Sequence, residues 1–325
     1  MWKEFDASTP AHLMHLAYKV KETVLASKAQ GTIRTYLGGY NRWKRWASSN
    51  GVSPVPASPF HVAIYLQLLS QEACSPSPIL TAVYSIDWVH QLAGYSRLSG
   101  HPLVESMKNG CERLLARPKN RKEPISAEML HCLALKFQDK CSVCDLRTFA
   151  LCLIGYAGFL RFNELCSIRC CDVHFFPTYC SIFLECSKTD QLREGSWVSI
   201  ARTGQVTCPV MALEKYILAA GLCLDDDLPL FRALASGSSS CKVRPQGISY
   251  TRARELVKDA FRDITDVSKI SLHSLRSGGA SAAANAGIPD RLFKRHGRWS
   301  SENAKDVYVK DSLESRLSVS RALGI

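Results

Sequence analysis

The sequence predicts a mainly α-helical protein of the α+β class with two domains, the second of which also contains a small antiparallel sheet. Three observations support this prediction. The chain has 325 residues, whereas a single globular domain usually has about 100–200. Apolar residues recur at helical spacing through most of the chain, and two short segments, 179–186 and 196–200, are instead rich in β-branched and aromatic residues. The stretch 117–124 has two prolines, a run of charges and no apolar residue, which is typical of a linker.

These features predict a first domain of residues 1–117, a linker of residues 118–125 and a second domain of residues 126–325. The chain carries 41 Lys and Arg against 29 Asp and Glu, a formal net charge of +12. Both parts are basic, since residues 1–120 and residues 121–325 each carry a net charge of +6. The charge favours a polyanionic partner, but it does not by itself distinguish DNA, RNA, a membrane surface and plain solubility.

Thr32 is predicted to cap a long helix in the first domain, because apolar residues follow it at helical spacing from Ile33 to Ala47. Further helices are predicted at 60–69, 79–93 and 102–115. The long helix also carries four basic residues, largely away from its apolar face: Arg34, Arg42, Lys44 and Arg45. We interpret them as candidate DNA contacts, and an ordinary solvated helix face is the alternative.

Ser126 is predicted to cap the first helix of the second domain. An apolar helix at 149–160 then ends at a corner, and a new helix begins near residue 163. The two strand-like segments form a predicted β-hairpin with Lys188 at its turn. Helices are predicted to follow at 209–220, 249–261, 272–286, 289–296, 301–309 and, as a terminal amphipathic helix, 312–323.

Several polar residues of the second domain stand where burial is costly. Arg161 ends the apolar helix, where a buried guanidinium needs an anion, and Glu164 follows three residues later on the same side. His273 and Arg276 are also three residues apart, so they share one helix face. The rest of that helix consists of small residues, SGGASAAA at 277–284, which let a backbone or a ligand approach closely.

Trp299 and Tyr308 follow this helix, and Tyr308 is predicted to lie on a short helix capped by Ser300 or Ser301. Together these features resemble the tyrosine recombinase family, the phage-integrase and Cre-like enzymes. The resemblance is carried by GFLRFNEL at 158–165, the hairpin lysine, LHSLRSGG at 272–279, GRW at 297–299 and a tyrosine nine positions after the tryptophan. It covers residues 126–325 well. Residues 1–117 are similar, more loosely, to the family's all-helical, SAM-like core-binding domain.

The resemblance implies an enzyme that recombines or integrates DNA at specific sites. It also implies seven catalytic residues: Arg161, Glu164, Lys188, His273, Arg276, Trp299 and the nucleophile Tyr308. The tyrosine attacks a phosphodiester and leaves a 3′-phosphotyrosyl link with a free 5′-hydroxyl. The arginines stabilise the charge on phosphorus, the histidine exchanges a proton with the tyrosine, and the lysine protonates the leaving oxygen. Because arginines supply the positive charge and the phosphotyrosine keeps the bond energy, we expect no metal, no other cofactor and no ATP.

The resemblance further implies double-stranded DNA as partner and a homotetramer on DNA, in which the terminal helix docks on a neighbouring subunit through Leu313 and Leu317. We expect no membrane partner, because no apolar run reaches the roughly 20 residues that span a bilayer. Fourteen irregularly spaced cysteines favour reduced thiols and hence an intracellular protein, in the nucleus of a eukaryote or the cytoplasm of a bacterium. The abundance of cysteine and serine favours a eukaryotic mobile-element origin.

Two other functions stay open at this point: a transposon-derived DNA-binding protein that no longer cleaves DNA, and a type IB topoisomerase-like enzyme with the same chemistry. Each candidate residue taken alone also has an ordinary structural explanation, such as a helix ion pair for Arg161 and Glu164, and the ordered set carries the prediction. A zinc site lacks the required ligand spacing in the group Cys141, Cys144, Cys170, Cys171 and His174. The sequence does not identify the DNA target, or distinguish integration, excision and resolution.

Overall fold

The chain divides into two units between residues 120 and 121. The structure, a computed structural model, describes residues 10–118, 121–187, 190, 193–236 and 241–323. The division falls inside the segment predicted as a linker, and the role of each domain stays a prediction. Across these ranges, no helix combines the length and the hydrophobicity needed to cross a membrane.

The elements of regular secondary structure described in the first unit are all helices. Its α-helices are α1 (Met14–Leu25), α2 (Gln30–Ser49), α3 (Pro59–Glu72), α4 (Ser77–Leu92) and α5 (Pro102–Leu114). A proline stands in the first turn of α3, α4 and α5, where the N–H that proline lacks would have no helical partner, and these helices begin close to their predicted starts. Their core contains the fully buried Trp43, Val62, Leu66, Ile79 and Ile86.

Two details of this unit differ from the prediction. Thr32 does not cap α2, because its N–H and that of Ile33 both donate to the carbonyl of Ala29 (2.8 and 3.1 Å), so the helix has begun before Thr32. Helix α1 is not predicted by its sequence. No side chain caps its start, and Ala17 is the one buried residue among its described side chains.

The second unit is mainly helical and contains two small antiparallel sheets. Its elements are α6 (Ala127–Phe137), α7 (Val143–Ala157), α8 (Phe162–Ser167), β1 (Val173–Phe175), β2 (Tyr179–Leu184), β3 (Ser196–Ala201), α9 (Pro209–Ala220), β4 (Arg232–Ser236), β5 (Cys241–Gly247), α10 (Tyr250–Phe261), α11 (His273–Asn285), α12 (Asp290–Gly297), α13 (Glu302–Asp306) and α14 (Leu313–Arg321). Strands β1, β2 and β3 pair in that order, and β4 pairs with β5. The mainly helical class with a small antiparallel sheet is confirmed.

The predicted hairpin is the pair β2–β3, with Phe183 opposite Trp197. Alternate residues of β2 are buried, as a sheet with one face on a core requires: Cys180, Ile182 and Leu184. The second hairpin, β4–β5, is absent from the prediction. Its strands contain only one β-branched residue, Val243, and one includes Pro245, which cannot donate to a ladder.

Helix α7 lies at the centre of the second unit, packed against α6, α9, α10 and α11. Helix α11 approaches it closely because of its glycines. A Cβ on Gly278 would lie 2.0 Å from the carbonyl oxygen of Ile125, and a Cβ on Gly279 would lie 2.1 Å from that of Tyr156. The small residues of α11 thus allow other backbone segments of the second unit, at Ile125 and Tyr156, to pack closely against this helix.

The sequence predicts that Tyr308 lies on a short helix, but the structure places it outside one. Helix α13 is capped by Ser301, whose hydroxyl accepts from the N–H of Ala304, and it ends at Asp306. Tyr308 lies two residues further on, where its N–H donates to the carbonyl of Lys305 (2.9 Å) in a final turn. The nucleophile candidate is therefore held by tertiary contacts rather than by a helix.

Candidate active site

Arg161 and Glu164 form the corner between α7 and α8. Arg161 precedes α8, and its backbone N–H donates to Oε2 of Glu164 (2.9 Å) while its Nη1 donates to Oε1 (2.5 Å). The carboxylate thus caps the first turn of α8 and fixes the guanidinium at the same time. Only 2% of the Glu164 side chain and 13% of the Arg161 side chain are exposed.

Arg276 reaches the same corner from α11, and its side chain is completely buried. It donates to the carbonyl of Phe159 and, at 2.7 Å, to that of Gly297, and its Nη1 lies 3.6 Å from Oε2 of Glu164. Burial, together with repulsion from the Arg161 guanidinium, lowers the pKa of Arg276 to about 10. Arg276 therefore still carries its charge at neutral pH.

Arg298, a residue that sequence reasoning missed, brings a third guanidinium to this corner. Its Nη2 donates to Oε2 of Glu164 (3.1 Å) and to the carbonyl of Phe159 (3.0 Å), and its Nη1 donates to the carbonyl of His296 (2.7 Å). The side chain is 9% exposed. No local pattern marks such a residue, because its carboxylate partner is 134 positions away in the chain.

Three guanidinium groups therefore share the single carboxylate of Glu164. Burial alone would raise the pKa of Glu164, but attraction to Arg298, a hydrogen bond from the N–H of Arg161 and attraction to the remaining guanidinium groups outweigh it and hold the pKa below its usual range. Conversely, burial outweighs the Glu164 carboxylate at Arg298, whose pKa is lowered. With all four groups ionised, the corner carries two positive charges in excess.

Tyr308 lies over this cluster of arginines. The guanidinium carbon of Arg276 is 4.7 Å from the centre of the Tyr308 ring and 4.8 Å from that of Trp299. The Trp299 and Tyr308 rings are 5.7 Å apart, and the ring of His273 meets Tyr308 edge to face at 6.2 Å. Trp299 can fold back here because Gly297 has no side chain, since a Cβ there would lie 1.9 Å from the indole. Arg276, Trp299 and His273 therefore border the phenol of Tyr308, and Arg161 interacts with it as well.

The segment after Tyr308 is fastened to α11 by two side chains one helical turn apart. The hydroxyl of Ser281 donates to the carbonyl of Tyr308 (3.4 Å) and accepts from the N–H of Lys310 (2.9 Å). Asn285 donates to the carbonyl of Lys310 (3.2 Å) and accepts from the N–H of Ser312 (3.0 Å). The helix that carries His273 and Arg276 thus also positions the backbone of Tyr308.

The remaining predicted residues lie elsewhere or outside the description. Lys188 is outside the described residues. His296, three residues before Trp299, contacts the carbonyl oxygen of Ala157 through Nε2 (2.7 Å), and burial lowers its pKa. The four candidate DNA contacts are all exposed on α2 of the first unit: Arg34, Arg42, Lys44 and Arg45.

Helix α14 has no buried residue, and 63% of Leu313 and 38% of Leu317 are exposed. Elsewhere in the second unit, an apolar cavity of about 510 Å³ lies between β3 and α12, lined by residues that include Trp197, Ile288 and Leu292. Within the described part of the chain, no three His, Cys, Asp or Glu side chains are grouped as metal ligands. The acidic partner of the arginines, Glu164, is instead committed to hydrogen bonds with them.

The arrangement is suited to a phosphate that is attacked by a phenol. Guanidinium groups match phosphate oxygens in shape and charge, and a phenol beside them loses its proton more easily in a positive surround. A neutral imidazole next to the phenol is able to accept its proton. Glu164 keeps the arginines in place, and the described partners of the tyrosine are Arg161, Arg276, Trp299 and His273.

Known proteins that are similar to this chain are DNA recombinases. No protein-family model matches the chain. The chain is 30% identical over 301 residues to an integrase/recombinase of Selenomonas ruminantium, a XerD homologue, and the match covers 91% of this chain and 86% of the relative. It is 24% identical over 314 residues to the Cre recombinase of Escherichia phage P1, covering 87% of this chain and 84% of Cre.

Two solved structures share its fold. One is the XerH site-specific recombinase bound to a palindromic difH substrate after cleavage, with 14% identity, a TM-score of 0.58 and coverage of 85% of this chain and 75% of that one. The other is a lambda integrase dimer bound to a COC′ core site, with 17% identity, a TM-score of 0.56 and coverage of 92% and 96%.

Proposed function

This chain belongs to the tyrosine recombinase family, and we propose that Tyr308 is the nucleophile with which it cleaves and rejoins double-stranded DNA. The protein is a DNA breaking-rejoining enzyme of site-specific recombination. One observation carries the assignment of the nucleophile: the Tyr308 ring lies 4.7 Å from the guanidinium carbon of the buried Arg276 and edge to face with His273. A tyrosine with only a packing role has no need of a buried cation against its ring.

In the proposed reaction, the phenolic oxygen of Tyr308 attacks the phosphorus of a phosphodiester. A bond forms between tyrosine and phosphorus, and the bond to the 5′-oxygen breaks. His273 takes the phenolic proton, and Lys188 gives a proton to the leaving oxygen. Arg161 and Arg276 donate to the non-bridging oxygens, where negative charge increases in the transition state. Attack by the 5′-hydroxyl of a second strand reverses these steps, so the exchange needs no external energy source.

Trp299 and Glu164 support this chemistry in different ways. The ring of Trp299 packs beside Tyr308 and Arg276, and its Nε1 is buried without a hydrogen-bond partner among the described residues, which supports a role as donor to a bound phosphate. Glu164 orients Arg161 through the pair of contacts at 2.9 and 2.5 Å. No step in this scheme requires a metal ion or another cofactor.

The first unit is proposed to bind DNA through α2. Its four basic side chains are exposed, while Ile33, Trp43 and Ala47 of the same helix are buried in the core. XerH and lambda integrase, which share the fold, are bound to DNA in their structures. The site of action is then wherever the host keeps its DNA, the nucleus or the bacterial cytoplasm, and a eukaryotic mobile-element origin stays a prediction.

We also propose that α14 joins four copies of the chain on DNA. Leu313 and Leu317 are exposed on a helix that has no buried residue. The apolar cavity beside α12 offers a place for such leucines in a neighbouring copy. Replacing both leucines by serine should leave single-site binding intact and abolish the four-subunit complex in light scattering. A tetramer that persists in this variant contradicts the role of α14.

The test of the function is covalent trapping. A recognition duplex is first selected from random sequences by binding to the full chain, and it is then nicked so that the cleaved end diffuses away. We expect wild type to form a denaturation-resistant protein–DNA adduct and Tyr308→Phe to form none while binding equally well. The matched control, Tyr250→Phe, removes a hydroxyl from an exposed tyrosine of the same unit and should react like wild type.

Each alternative function has its own outcome in this experiment. A wild-type protein that binds the selected duplex and never forms an adduct is a DNA-binding protein without cleavage activity. An adduct that forms equally well on unrelated duplexes, with relaxation of supercoiled plasmid, is the result expected of a topoisomerase-like enzyme. Neither alternative is favoured, because the named relatives are recombinases.

A further inference from the structure

The backbone of Arg298 has a conformation that usually requires glycine. Arg298 lies in the left-handed region with φ 55° and ψ 44°, directly after α12. Its N–H donates to the carbonyl of Arg295 (3.2 Å), and the N–H of Trp299 donates to that of Lys294 (3.1 Å), which is the bonding pattern of a helix end whose left-handed residue is most often glycine. An arginine here therefore needs a compensating role for its side chain.

A second residue with a strained backbone accepts a hydrogen bond from Arg298. Phe159 also lies in the left-handed region, with φ 47°, at the corner that precedes Arg161. Its carbonyl oxygen accepts from Nη2 of Arg298 and from Nη1 of Arg276. Backbone strain of this kind persists only where surrounding contacts hold it, and it is concentrated at functional sites.

Both terminal nitrogens of the Arg298 guanidinium donate to acceptors of the protein itself. Its side chain is 9% exposed, and its Nη1 and Nη2 are already bonded to the carbonyls of Gly158, Phe159 and His296 and to Glu164. Its hydrogen bonds therefore stabilise the protein around the corner between α7 and α8. Arg161, in contrast, forms its described ion pair with Glu164. Its side chain is 13% exposed, compared with 9% for Arg298.

We propose that Arg298 is a positioning residue that orients the Glu164 carboxylate and, through it, the phosphate-binding groups of Arg161 and Arg276. This inference rests on the proposed function. Oε2 of Glu164 accepts from the N–H of Arg161 at 2.9 Å and from Arg298 at 3.1 Å, so Arg298 fixes the oxygen that also caps α8. Without Arg298 this oxygen loses its strongest side-chain donor, and the carboxylate is free to rotate away from the corner.

The same geometry has a consequence for pH dependence. The charged groups that face Glu164 are Arg161 from its own turn, Arg276 from α11 and Arg298 from the end of α12. His296 stands beside Arg276 and Arg298, and burial lowers its pKa, while His273, the proposed proton acceptor, lies on α11 beside Tyr308. Removal of Arg298 takes away one of the cations that hold the pKa of Glu164 low.

The experiment measures single-turnover adduct formation on the nicked duplex as a function of pH, with DNA binding measured separately. Arg298→Gly suits the left-handed backbone but removes the guanidinium, so it tests the side chain without added strain. We expect binding within about threefold of wild type, cleavage slower by up to about 10²-fold, and the acid limb of the rate–pH profile displaced to higher pH. Arg298→Lys, which keeps the charge but not the planar fork, should be intermediate.

Two controls separate positioning from a structural role. Arg291→Ala removes an exposed arginine from α12 and should leave rate and pH profile unchanged. The double variant Arg298→Gly with His296→Gln should keep the displaced acid limb, because Glu164 rather than His296 produces it. If the acid limb of the rate–pH profile returns to its wild-type position in the double variant, the proposal is wrong.

The outcomes also distinguish this inference from the proposed function. If wild type forms no adduct on DNA that it binds, the proposed function is wrong and this inference fails with it. If wild type cleaves and Arg298→Gly cleaves at the same rate, only the inference is wrong. A slower Arg298→Gly with an unchanged pH profile and a lowered Tm indicates a purely structural residue and likewise contradicts the proposal.

Discussion

Glu164→Gln tests the view that one carboxylate holds three arginines together. The substitution preserves size but replaces one acceptor oxygen by a donor NH₂ group. That group must face donors, because both oxygens of Glu164 accept from Arg161 and one also accepts from Arg298. The corner then contains three positive charges and no negative one.

The expected loss of stability is large. Glu164 is 2% exposed, so water cannot replace the missing oxygen, and Arg276 at 3.6 Å is completely buried. Removing one partner of a buried ion pair costs about 3–5 kcal/mol. For a unit of this size, the Tm should fall by roughly 6–20 °C.

The assay is scanning calorimetry of the full chain at pH 7, in which the transition that moves belongs to the second unit. Glu255→Gln is the matched control. It breaks a pair with Arg252 at 3.3 Å in which both side chains are about half exposed, and it should cost less than about 1 kcal/mol. Equal Tm values for Glu164→Gln and Glu255→Gln would show that the arginines do not depend on the carboxylate, and would refute the reasoning.

The pH dependence of the same variant gives an independent check. The folded-state pKa of Glu164 is held below its ordinary value, so its stabilising contribution is complete above the unfolded-state pKa of about 4.3 and is lost as the pH falls through the folded-state pKa. The difference in stability between wild type and Glu164→Gln should therefore be constant near neutrality and shrink in acid. A difference that grows as the pH falls contradicts this assignment.

Three further predictions follow from the same structure. Arg276→Lys keeps the charge but loses the planar fork, and it should slow adduct formation by at least about 10²-fold with DNA binding changed far less, as measured by trapping and by anisotropy. Arg42→Ala combined with Arg45→Ala should weaken DNA binding and reduce the slope of log K against log salt by about 2, whereas an unchanged slope identifies α2 as an ordinary solvated face. Gly278→Ala places a Cβ 2.0 Å from a backbone carbonyl oxygen and should destabilise the second unit in urea unfolding. Gly110→Ala, in open space on α5, should be neutral or stabilise by up to about 1 kcal/mol.

The sequence predicts most helices because their ends are marked by local chemistry. Ser126, Ser249 and Ser312 all accept from N–H groups of the turn that they precede. Elements without such marks escape prediction, as α1 and the hairpin β4–β5 show, since their formation depends on neighbours in space rather than on neighbours in sequence. Tyr308 illustrates the same limit, because the hydrogen bonds of Ser281 to its carbonyl and to the segment after it are made across 27 and 29 residues.

The residues of the candidate site likewise differ in whether the sequence reveals them. Arg161, Glu164 and Arg276 are recognisable because they stand in short segments that resemble those of tyrosine recombinases, whereas Arg298 is not, because its contacts depend on a left-handed backbone and a carboxylate 134 residues away. A left-handed arginine or phenylalanine costs roughly 1–2 kcal/mol, so Arg298 and Phe159 are locally unfavourable choices that only the folded corner justifies. Two of the three left-handed residues other than glycine in the described ranges thus lie where the arginines are held in position, which is why a residue with no sequence signal is expected to matter for the reaction.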